Sequence, residues 1–172
     1  MAKEDIYYYC ETQPEYAPEW HWITDQIALG SYPLDTALRD LLEQGVSAIA
    51  SVRVDAPDYD LDLFEASHVA CVEDGCPFPY EDLVAVLRFL HENVTAGRKV
   101  YVHCFAGVSR SAFVVSSYLM LAEGVAFEDA LARVRGIRPV VNPHPLLVGD
   151  ALVDRLLNDR ERILSLDTPE NT

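Results

Sequence analysis

Hydrophobic residues occur along the chain either in short continuous runs or at helical spacing, and the two patterns alternate. Buried strands are short and apolar, whereas helices repeat apolar positions every three or four residues. By this rule we predict strands at 26–29, 46–52, 68–72 and 99–103. We predict helices at 35–44, 80–96, 110–122, 127–134 and 144–164. Strands that alternate with helices predict an α/β fold with a central, partly parallel sheet flanked by helices.

The two ends of the chain show neither pattern. Residues 1–20 mix aromatic, acidic and proline residues without a period, and are predicted to form an N-terminal arm that lies on the domain. Residues 165–172 are predicted to be a disordered C-terminal tail. The remaining residues, 21–164, are enough for one domain with a substantial core. Within it, the acidic stretch 55–66 is predicted to be a loop with at most one helical turn.

The charge of the chain narrows the range of partners. Its formal net charge is −15, from 28 acidic and 13 basic residues. A protein that binds nucleic acid or an anionic membrane needs a basic face, so we predict neither partner. The longest nearly apolar stretch, 111–122, is too short to cross a bilayer. The beginning of the chain, MAKEDIYYY, lacks the apolar core of a signal peptide, which predicts a cytoplasmic location.

The cysteines do not indicate a metal site. The chain has four cysteines, with no C-x-x-C pair and no Cys/His zinc spacing. We therefore predict no metal and no cofactor, and expect reduced thiols in a cytoplasmic protein.

The stretch VHCFAGVSRS, residues 102–111, joins the last predicted strand to the next helix. Its cysteine, Cys104, stands six residues before Arg110, with small residues between them. A loop at a helix N-terminus offers free N–H groups to an anion, and an arginine offers a planar fork matched to two phosphate oxygens. The same positive surroundings lower the pKa of a thiol. The pattern indicates either a thiolate nucleophile under a bound phosphate or a buried cysteine in a strand–turn–helix connection.

These residues match the signature H-C-x5-R-[ST], and the chain resembles the cysteine-dependent protein tyrosine phosphatases, in particular their dual-specificity subgroup. The resemblance continues in WITDQIALGSYP, in SAFVVSSYLM and in EDALARVRGIRP with the NP that follows, so that it covers about residues 20–155. It implies the fold of that family and makes 21–164 a phosphatase catalytic domain.

The resemblance also assigns roles to residues in and near the loop. Cys104 matches the nucleophile, Arg110 the phosphate clamp, and Ser111 the hydroxyl that steadies the leaving thiolate. His103 matches a histidine thought to orient the loop, and a hydrogen-bonded core histidine is the alternative. Asn142 resembles an asparagine that braces the loop, and an ordinary turn residue is the alternative. The loop residues expected to bind substrate beside Arg110 are Phe105, Ala106, Gly107, Val108 and Ser109.

The family uses an aspartic acid as proton donor, because expelling an alkoxide or phenolate requires one. The resemblance places it after a short strand, and Asp74 lies 30 positions before Cys104 in a segment marked as a loop by glycine and proline. Asp74 is therefore the predicted general acid, with Glu73 as its rival. Asp82 is predicted to lie in the first turn of the next helix, where its charge favours the helix dipole. The aspartates at 58, 60 and 62 are predicted to be solvated surface.

The resemblance implies a metal-independent phosphatase that hydrolyses phosphate monoesters through a cysteinyl-phosphate intermediate. The expected substrate is phosphotyrosine, phosphoserine or phosphothreonine in a protein, or a small phosphate monoester. Phosphoinositide and RNA 5′-phosphatases of the superfamily tend to carry lysines in the loop. Residues 105–109 contain no lysine, which favours a phosphoprotein and leaves the phosphoinositide and RNA substrates as the alternative. A non-catalytic phosphate-binding module is a second alternative, although it would be expected to have lost the cysteine, the arginine or the acid.

Two further expectations concern the charge of the cleft and the other cysteines. The sequence gives no expectation for the oligomeric state. An acidic enzyme that attracts anions needs a locally positive cleft, which we expect Arg110 to provide with Arg53 or Arg138. Cys71 and Cys76 lie near the predicted acid in sequence, so either could form a disulfide with the nucleophile on oxidation; small buried residues are the alternative.

Overall fold

The computed structural model describes residues 19–166, which form a five-stranded sheet flanked by helices on both faces. The strands are β1 Trp20–Trp22, β2 Ile27–Gly30, β3 Val46–Arg53, β4 Ala66–Cys71 and β5 Lys99–His103. Their order in the sheet is β1-β2-β5-β3-β4. The strand β1 runs antiparallel to β2, and all other neighbours are parallel, which confirms the partly parallel α/β fold.

Six α-helices and one 3-10 turn, Leu61–Leu63, connect the strands or follow them within the described residues. Helix α3 is buried along nearly its whole length, because it lies between the sheet and the other helices. None of the helices in the described part of the chain is long and apolar enough to cross a membrane. The helices are α1 Asp35–Glu43, α2 Tyr80–Thr95, α3 Arg110–Glu123, α4 Phe127–Ile137, α5 Asp150–Asn158 and α6 Arg160–Leu164.

Side-chain alternation along the central strand β5 separates two hydrophobic cores. Val100 and Val102 face the larger core, which the sheet forms with α2 and α3. Tyr101 faces a smaller core on the other side, closed by α1. At the end of the strand, Cys104 continues into the larger core, whereas His103 stacks on Tyr101 at a ring-centroid distance of 5.7 Å. The period of the strand thus points two neighbouring side chains of the motif to opposite faces of the sheet.

Two parts of the fold differ from the sequence prediction. The single helix predicted at 144–164 is wrong: residues 144–149 form turns, and α5 and α6 follow as separate helices. Pro143, Pro145 and Gly149 disfavour a helix there. A short strand, β1, was also missed, because three residues are too few to show a period.

The boundaries predicted for the ends of the chain are largely outside the described residues. Trp20, the last residue of the predicted arm, lies in β1 and pairs with Gly30. Residues 1–18 and most of the predicted tail, 167–172, lie outside the described residues, so both segments stay predictions.

Candidate active site

The segment 104–109, here called the Cys104 loop, joins the carboxyl end of the central strand β5 to the first turn of α3. In open α/β sheets ligands bind at the carboxyl ends of the strands, and a helix N-terminus favours anions. The loop therefore lies where an anion-binding site is expected. It brings Cys104, Arg110 and Ser111 together at the start of α3.

The Cys104 thiol is buried, 2% exposed, and is surrounded by hydrogen-bond donors. The Ser111 hydroxyl donates to Cys104 Sγ at 3.1 Å. Burial by itself raises the pKa of this thiol, but the hydroxyl and amide of Ser111, the Arg110 guanidinium and the Gly107 amide stabilise the anion, and the pKa is lowered overall. The alternative of an inert buried cysteine does not account for four groups that favour the thiolate.

Every backbone carbonyl of residues 104–108 is held by a donor that lies outside the cradle of the loop. A trans peptide is planar and points its C=O and the next N–H in opposite directions, so outward carbonyls turn the amides of 105–109 inward. The result is a nest of N–H groups around the thiol, with no lysine in it. The carbonyl contacts are His103 Nδ1 to Cys104 O at 2.8 Å, Tyr32 N to Phe105 O at 2.8 Å, Arg138 Nη2 to Ala106 O at 3.1 Å, Arg138 Nε to Gly107 O at 2.9 Å, and Asn142 N to Val108 O at 2.8 Å.

The curl of the loop requires a glycine at position 107. Gly107 has a φ of 66°, in the left-handed region that side chains disfavour. A Cβ at this position would also lie 2.4 Å from the carbonyl carbon of Gly30, at the end of β2. The loop thus rests directly on the backbone of the neighbouring strand.

Arg110 begins α3 and lies beside the thiol, 6% exposed. Its Nη1 donates to the carbonyl of Val72 at 2.8 Å, which fixes the guanidinium relative to the segment after β4. Its buried Nε makes no hydrogen bond to any residue in the range 19–166. Since a buried donor without an acceptor is costly, a phosphate oxygen bound here would supply the missing partner.

The segment 72–79, here called the Asp74 loop, brings the predicted acid to the same place. Asp74 Oδ1 lies 3.7 Å from Arg110 Nε and accepts a hydrogen bond from the Gly75 amide at 3.1 Å. The Asp74 side chain is 66% exposed, so it can meet a substrate. The rival Glu73 is instead engaged by the Cys76 thiol, which donates to Glu73 Oε2 at 3.4 Å. The geometry therefore favours Asp74 as the acid.

His103 is fully buried behind the loop and does not point at the nucleophile. Burial lowers its pKa to about 3, so the ring is neutral. Because a carbonyl can only accept, Nδ1 carries the proton towards Cys104 O, and Nε2 accepts from the hydroxyl of Tyr59 at 2.6 Å. Burial raises the pKa of Tyr59, which keeps that hydroxyl protonated as a donor. His103 is thus a hydrogen-bonded core histidine that also orients the loop. The two roles that the sequence offered as alternatives are compatible.

Three other residues play parts that differ from those expected. Asn142 contacts the loop through its backbone amide, while its side chain is exposed. Arg138, 2% exposed, holds loop carbonyls from behind rather than lining the cleft. Arg53, 5% exposed, places its guanidinium carbon 4.4 Å from the centre of the Tyr32 ring. Of the three arginines, Arg110 is the one that helps to stabilise the Cys104 thiolate, together with the Gly107 amide.

Several residues of the site were missed by the sequence reasoning. The missed residues are Tyr32, which holds the loop, Tyr59, which holds the histidine, and His144, whose backbone amide donates to the hydroxyl of the predicted Ser109 at 2.9 Å. Their partners are more than twenty residues away in sequence, so no local pattern could indicate them. The one available signal was Tyr59, an aromatic residue within an acidic stretch.

The candidate redox cysteines are free thiols, as is Cys104. Cys71 is exposed and lies between Ala70 and Val72, both of which face the larger core that contains Cys104. Alternation along the strand therefore turns Cys71 to the opposite face of the sheet, which disfavours a bridge to Cys104. A bridge from Cys76 stays a prediction.

The chain is similar to a known family, to curated proteins and to solved structures. Residues 27–150 match the family described as dual specificity phosphatase, catalytic domain. Human dual specificity protein phosphatase 15 is 39% identical over 59 residues, 34% of this chain and 20% of that protein. The phosphatidylglycerophosphate phosphatase PTPMT1 of Arabidopsis thaliana is 30% identical over 128 residues, 71% of this chain and 38% of that protein. The human tyrosine phosphatase-like serine/threonine/tyrosine-interacting protein has a crystal structure with TM-score 0.67 and 25% identity, covering 85% of this chain and 98% of that one.

The family match includes the elements that build the site. The family match runs from the first residue of β2 to the first residue of α5, and so contains both the Cys104 loop and the Asp74 loop. The chain spans well under half the length of the two curated relatives named here. On this evidence of sequence and fold, the chain belongs to the dual specificity phosphatase family and contains its catalytic domain.

Proposed function

We propose that this protein is a metal-independent phosphatase that hydrolyses phosphate monoesters on proteins through a cysteinyl-phosphate intermediate. The observation that carries the proposal is a thiol of lowered pKa inside a nest of inward amides, beside an arginine whose Nε is free to bind and a carboxyl group 3.7 Å from that Nε. These are a nucleophile, an anion cradle and a proton donor in one cleft.

In the first step the Cys104 thiolate attacks phosphorus in line with the leaving oxygen. The bond between sulfur and phosphorus forms as the bond between phosphorus and the leaving oxygen breaks. The loop amides and Arg110 stabilise the charge on the equatorial oxygens. Asp74, in its acid form, gives its proton to the leaving oxygen, so that an alcohol or phenol departs.

In the second step water hydrolyses the cysteinyl phosphate. Asp74, now a carboxylate, accepts a proton from the attacking water, the bond between sulfur and phosphorus breaks, and inorganic phosphate is released. The electron pair returns to Cys104 Sγ as a thiolate. The Ser111 hydroxyl, 3.1 Å away, donates to that sulfur and stabilises it as a leaving group.

The choice of a protein substrate rests on charge. The chain carries a net charge of −15, and the residues of the Cys104 loop contribute no lysine, so a polyanionic substrate would meet repulsion with little local compensation. A phosphorylated side chain presents one dianion, which the nest and Arg110 can hold. The similarity to a dual specificity protein phosphatase is consistent with this choice.

A lipid phosphate monoester is the second candidate substrate. It is favoured by the 30% identity to a phosphatidylglycerophosphate phosphatase, which extends over 71% of this chain. Val140 and Leu146, exposed by 51% and 57%, flank the segment whose backbone amide holds Val108. They offer an apolar surface next to the cleft to a leaving group that carries acyl chains.

The test is hydrolysis of p-nitrophenyl phosphate in the presence of a chelator, with Cys104→Ser as the inactive variant and Cys71→Ser as the matched control. We expect turnover by the wild type and by Cys71→Ser, because Cys71 faces away from the site, and none by Cys104→Ser. A wild-type protein that binds inorganic phosphate but does not turn over would make it a binding module instead.

The substrate class is tested by comparing kcat/KM on phosphotyrosine and phosphothreonine peptides with that on phosphatidylglycerophosphate in micelles. Higher kcat/KM on the peptides supports the protein substrate. Higher kcat/KM on the lipid, lost when Val140 and Leu146 are replaced by serine, would favour the second candidate.

A further inference from the structure

The carbonyls of Ala106 and Gly107 are held differently from the rest of the Cys104 loop. The other carbonyls of residues 104–108 are held by the neighbouring His103 or by backbone amides. These two are held by a single guanidinium, that of Arg138, through Nη2 at 3.1 Å and Nε at 2.9 Å. Arg138 lies just after α4, about thirty residues along the chain, so tertiary packing alone brings it to the loop.

The guanidinium has a third contact, which comes from the edge strand β1. Arg138 Nη1 lies 3.1 Å from Nδ1 of His21, in strand β1. An arginine can only donate, so His21 Nδ1 accepts and the proton of the neutral ring sits on Nε2. The strand β1 pairs with β2, where His21 lies opposite Leu29 and the next residue, Gly30, is the backbone on which Gly107 rests. The hairpin of β1 and β2 thus contacts the same part of the loop twice, once directly and once through Arg138.

We propose that His21 and Arg138 are positioning residues for the phosphatase reaction, which set the direction of the amides of Gly107 and Val108. Holding the carbonyls of Ala106 and Gly107 outward turns the next two N–H groups inward, because each peptide unit is planar. The Gly107 amide is one of the donors that stabilise the thiolate. The inference rests on the phosphatase function proposed above and adds two residues, one of them in β1, to the machinery of the loop.

The geometry argues against a direct role of Arg138 in binding substrate. Its side chain is 2% exposed, and Nε, Nη1 and Nη2 are each engaged by a protein acceptor. A substrate could reach it only if these contacts were broken. His21 is half-buried and acts on the loop through the arginine alone.

The experiment compares Arg138→Lys, His21→Phe and His21→Gln. Lysine keeps the charge but lacks the fork, phenylalanine keeps the ring but lacks the acceptor, and glutamine restores an acceptor oxygen. Matched controls are Arg133→Lys, on an exposed side of α4 in an ion pair with Glu123, and His91→Gln in α2. The measurements are kcat/KM, competitive inhibition by inorganic phosphate, and the pH profile of Cys104 alkylation by iodoacetamide, all well below the melting temperature.

We expect Arg138→Lys to lower kcat/KM by about tenfold or more, since removal of one oxyanion donor costs about 10²–10³-fold and a misdirected donor keeps part of its effect. Inhibition by phosphate should weaken, and the alkylation profile should shift to higher pH. His21→Phe should show the same changes at about threefold in kcat/KM, because it removes one anchor of Arg138 and leaves both contacts of the guanidinium with the loop in place. His21→Gln should recover part of the kcat/KM that His21→Phe loses, and the two controls, Arg133→Lys and His91→Gln, should resemble the wild type.

Two results would overturn the inference. A lower melting temperature with unchanged alkylation profile and unchanged phosphate inhibition would make the pair merely structural. A loss of kcat/KM on peptides alone, with unchanged phosphate inhibition, would make Arg138 a contact of the leaving group. An inactive wild type would instead overturn the proposed function, and alkylation and phosphate binding by the same variants would still test the positioning role.

Discussion

The Cys104 loop and the Asp74 loop meet at Arg110, yet they are built in opposite ways. The carbonyls at 104–108 are all tied outward, the thiol is 2% exposed and Gly107 rests on the backbone of β2. The Asp74 side chain is 66% exposed and is held by the amide of Gly75 and by the long contact to Arg110. The difference agrees with the tasks proposed for them: a cradle must keep its donors aimed before substrate arrives, whereas an acid must reach an oxygen whose position varies with the substrate.

For the buried Cys104 loop, we predict that Arg110→Lys causes the largest loss of kcat/KM. Lysine cannot present two parallel N–H groups to the phosphate or reach the Val72 carbonyl with the same geometry. We expect kcat/KM to fall by about 10³-fold, the scale reported for loss of a strong transition-state donor. Steady-state kinetics on p-nitrophenyl phosphate measure it, with the surface substitution Arg98→Lys as control. A loss below tenfold would mean that the guanidinium does not clamp the phosphate.

For the exposed Asp74 loop, we predict that Asp74→Asn lowers kcat by an amount that depends on the leaving group. An alkyl phosphate needs the proton, so kcat should fall by about 10²-fold or more, the usual scale of general acid catalysis. With p-nitrophenol, which leaves readily as an anion, the loss should be much smaller. Single-substrate kinetics on both esters give the ratio, and Glu73→Gln is the matched control. Equal losses on both esters would contradict the acid role.

The two loops should also differ in their tolerance of a methyl group at glycine. Gly107 and Gly75 both have positive φ, 66° and 71°, which costs an alanine about 1–2 kcal/mol at either site. At 107 the new Cβ would also lie 2.4 Å from the backbone of Gly30, and such overpacking adds about 1–3 kcal/mol. At 75 the nearest atom is His144 Nε2 at 3.6 Å, an ordinary contact. In denaturant unfolding, the free energy of unfolding should be lower for Gly107→Ala than for Gly75→Ala. The reverse order would contradict the close contact between position 107 and the Gly30 backbone.

The smallest predicted change concerns pH. The Ser111 hydroxyl donates to Cys104 Sγ and helps to lower the pKa of the thiol, so the reactive thiolate persists to lower pH. Ser111→Ala removes this donor, which raises the pKa and moves the acid limb of kcat/KM to higher pH. Ser116→Ala, in the same buried helix, is the control. An acid limb that does not move would show that the hydroxyl leaves the ground-state thiolate unaffected.

Some parts of the site were accessible from the sequence because they depend on neighbours along the chain. Arg110 follows Cys104 by six residues, which is the length of the loop between the end of a strand and the start of a helix. That strand lies at 99–103 and that helix at 110–123. The resemblance added Asp74, which the structure brings next to Arg110. Alternation along β5 also places His103 and Cys104 on opposite faces. Local periodicity is reliable here because each element buries its own apolar face.

Other parts could not be inferred locally. The helix predicted at 144–164 is interrupted because residues 144–149 turn back to the loop, where the His144 amide meets Ser109 Oγ. Arg138, with Arg53 as the alternative, was expected to add positive charge to the cleft, yet its guanidinium is used behind the loop. An arginine at the end of a helix looks the same in sequence whether its guanidinium meets substrate, solvent or backbone. Only the packing of α4 against the loop distinguishes these cases.

The sequence determined the class of fold and, through its resemblance to a family, the candidate nucleophile and its arginine, because strand and helix periods and a six-residue spacing are properties of the local chain. The tertiary structure decided how the loop is held: by Tyr32 from the segment after β2, by the Tyr59–His103 pair, and by His21 with Arg138. Each of these contacts joins residues far apart in sequence. Each either donates a hydrogen bond to a loop carbonyl or fixes the side chain that donates one. The chemistry of a nest of amides depends on where its carbonyls point, and that direction is set by partners that only the folded chain brings together.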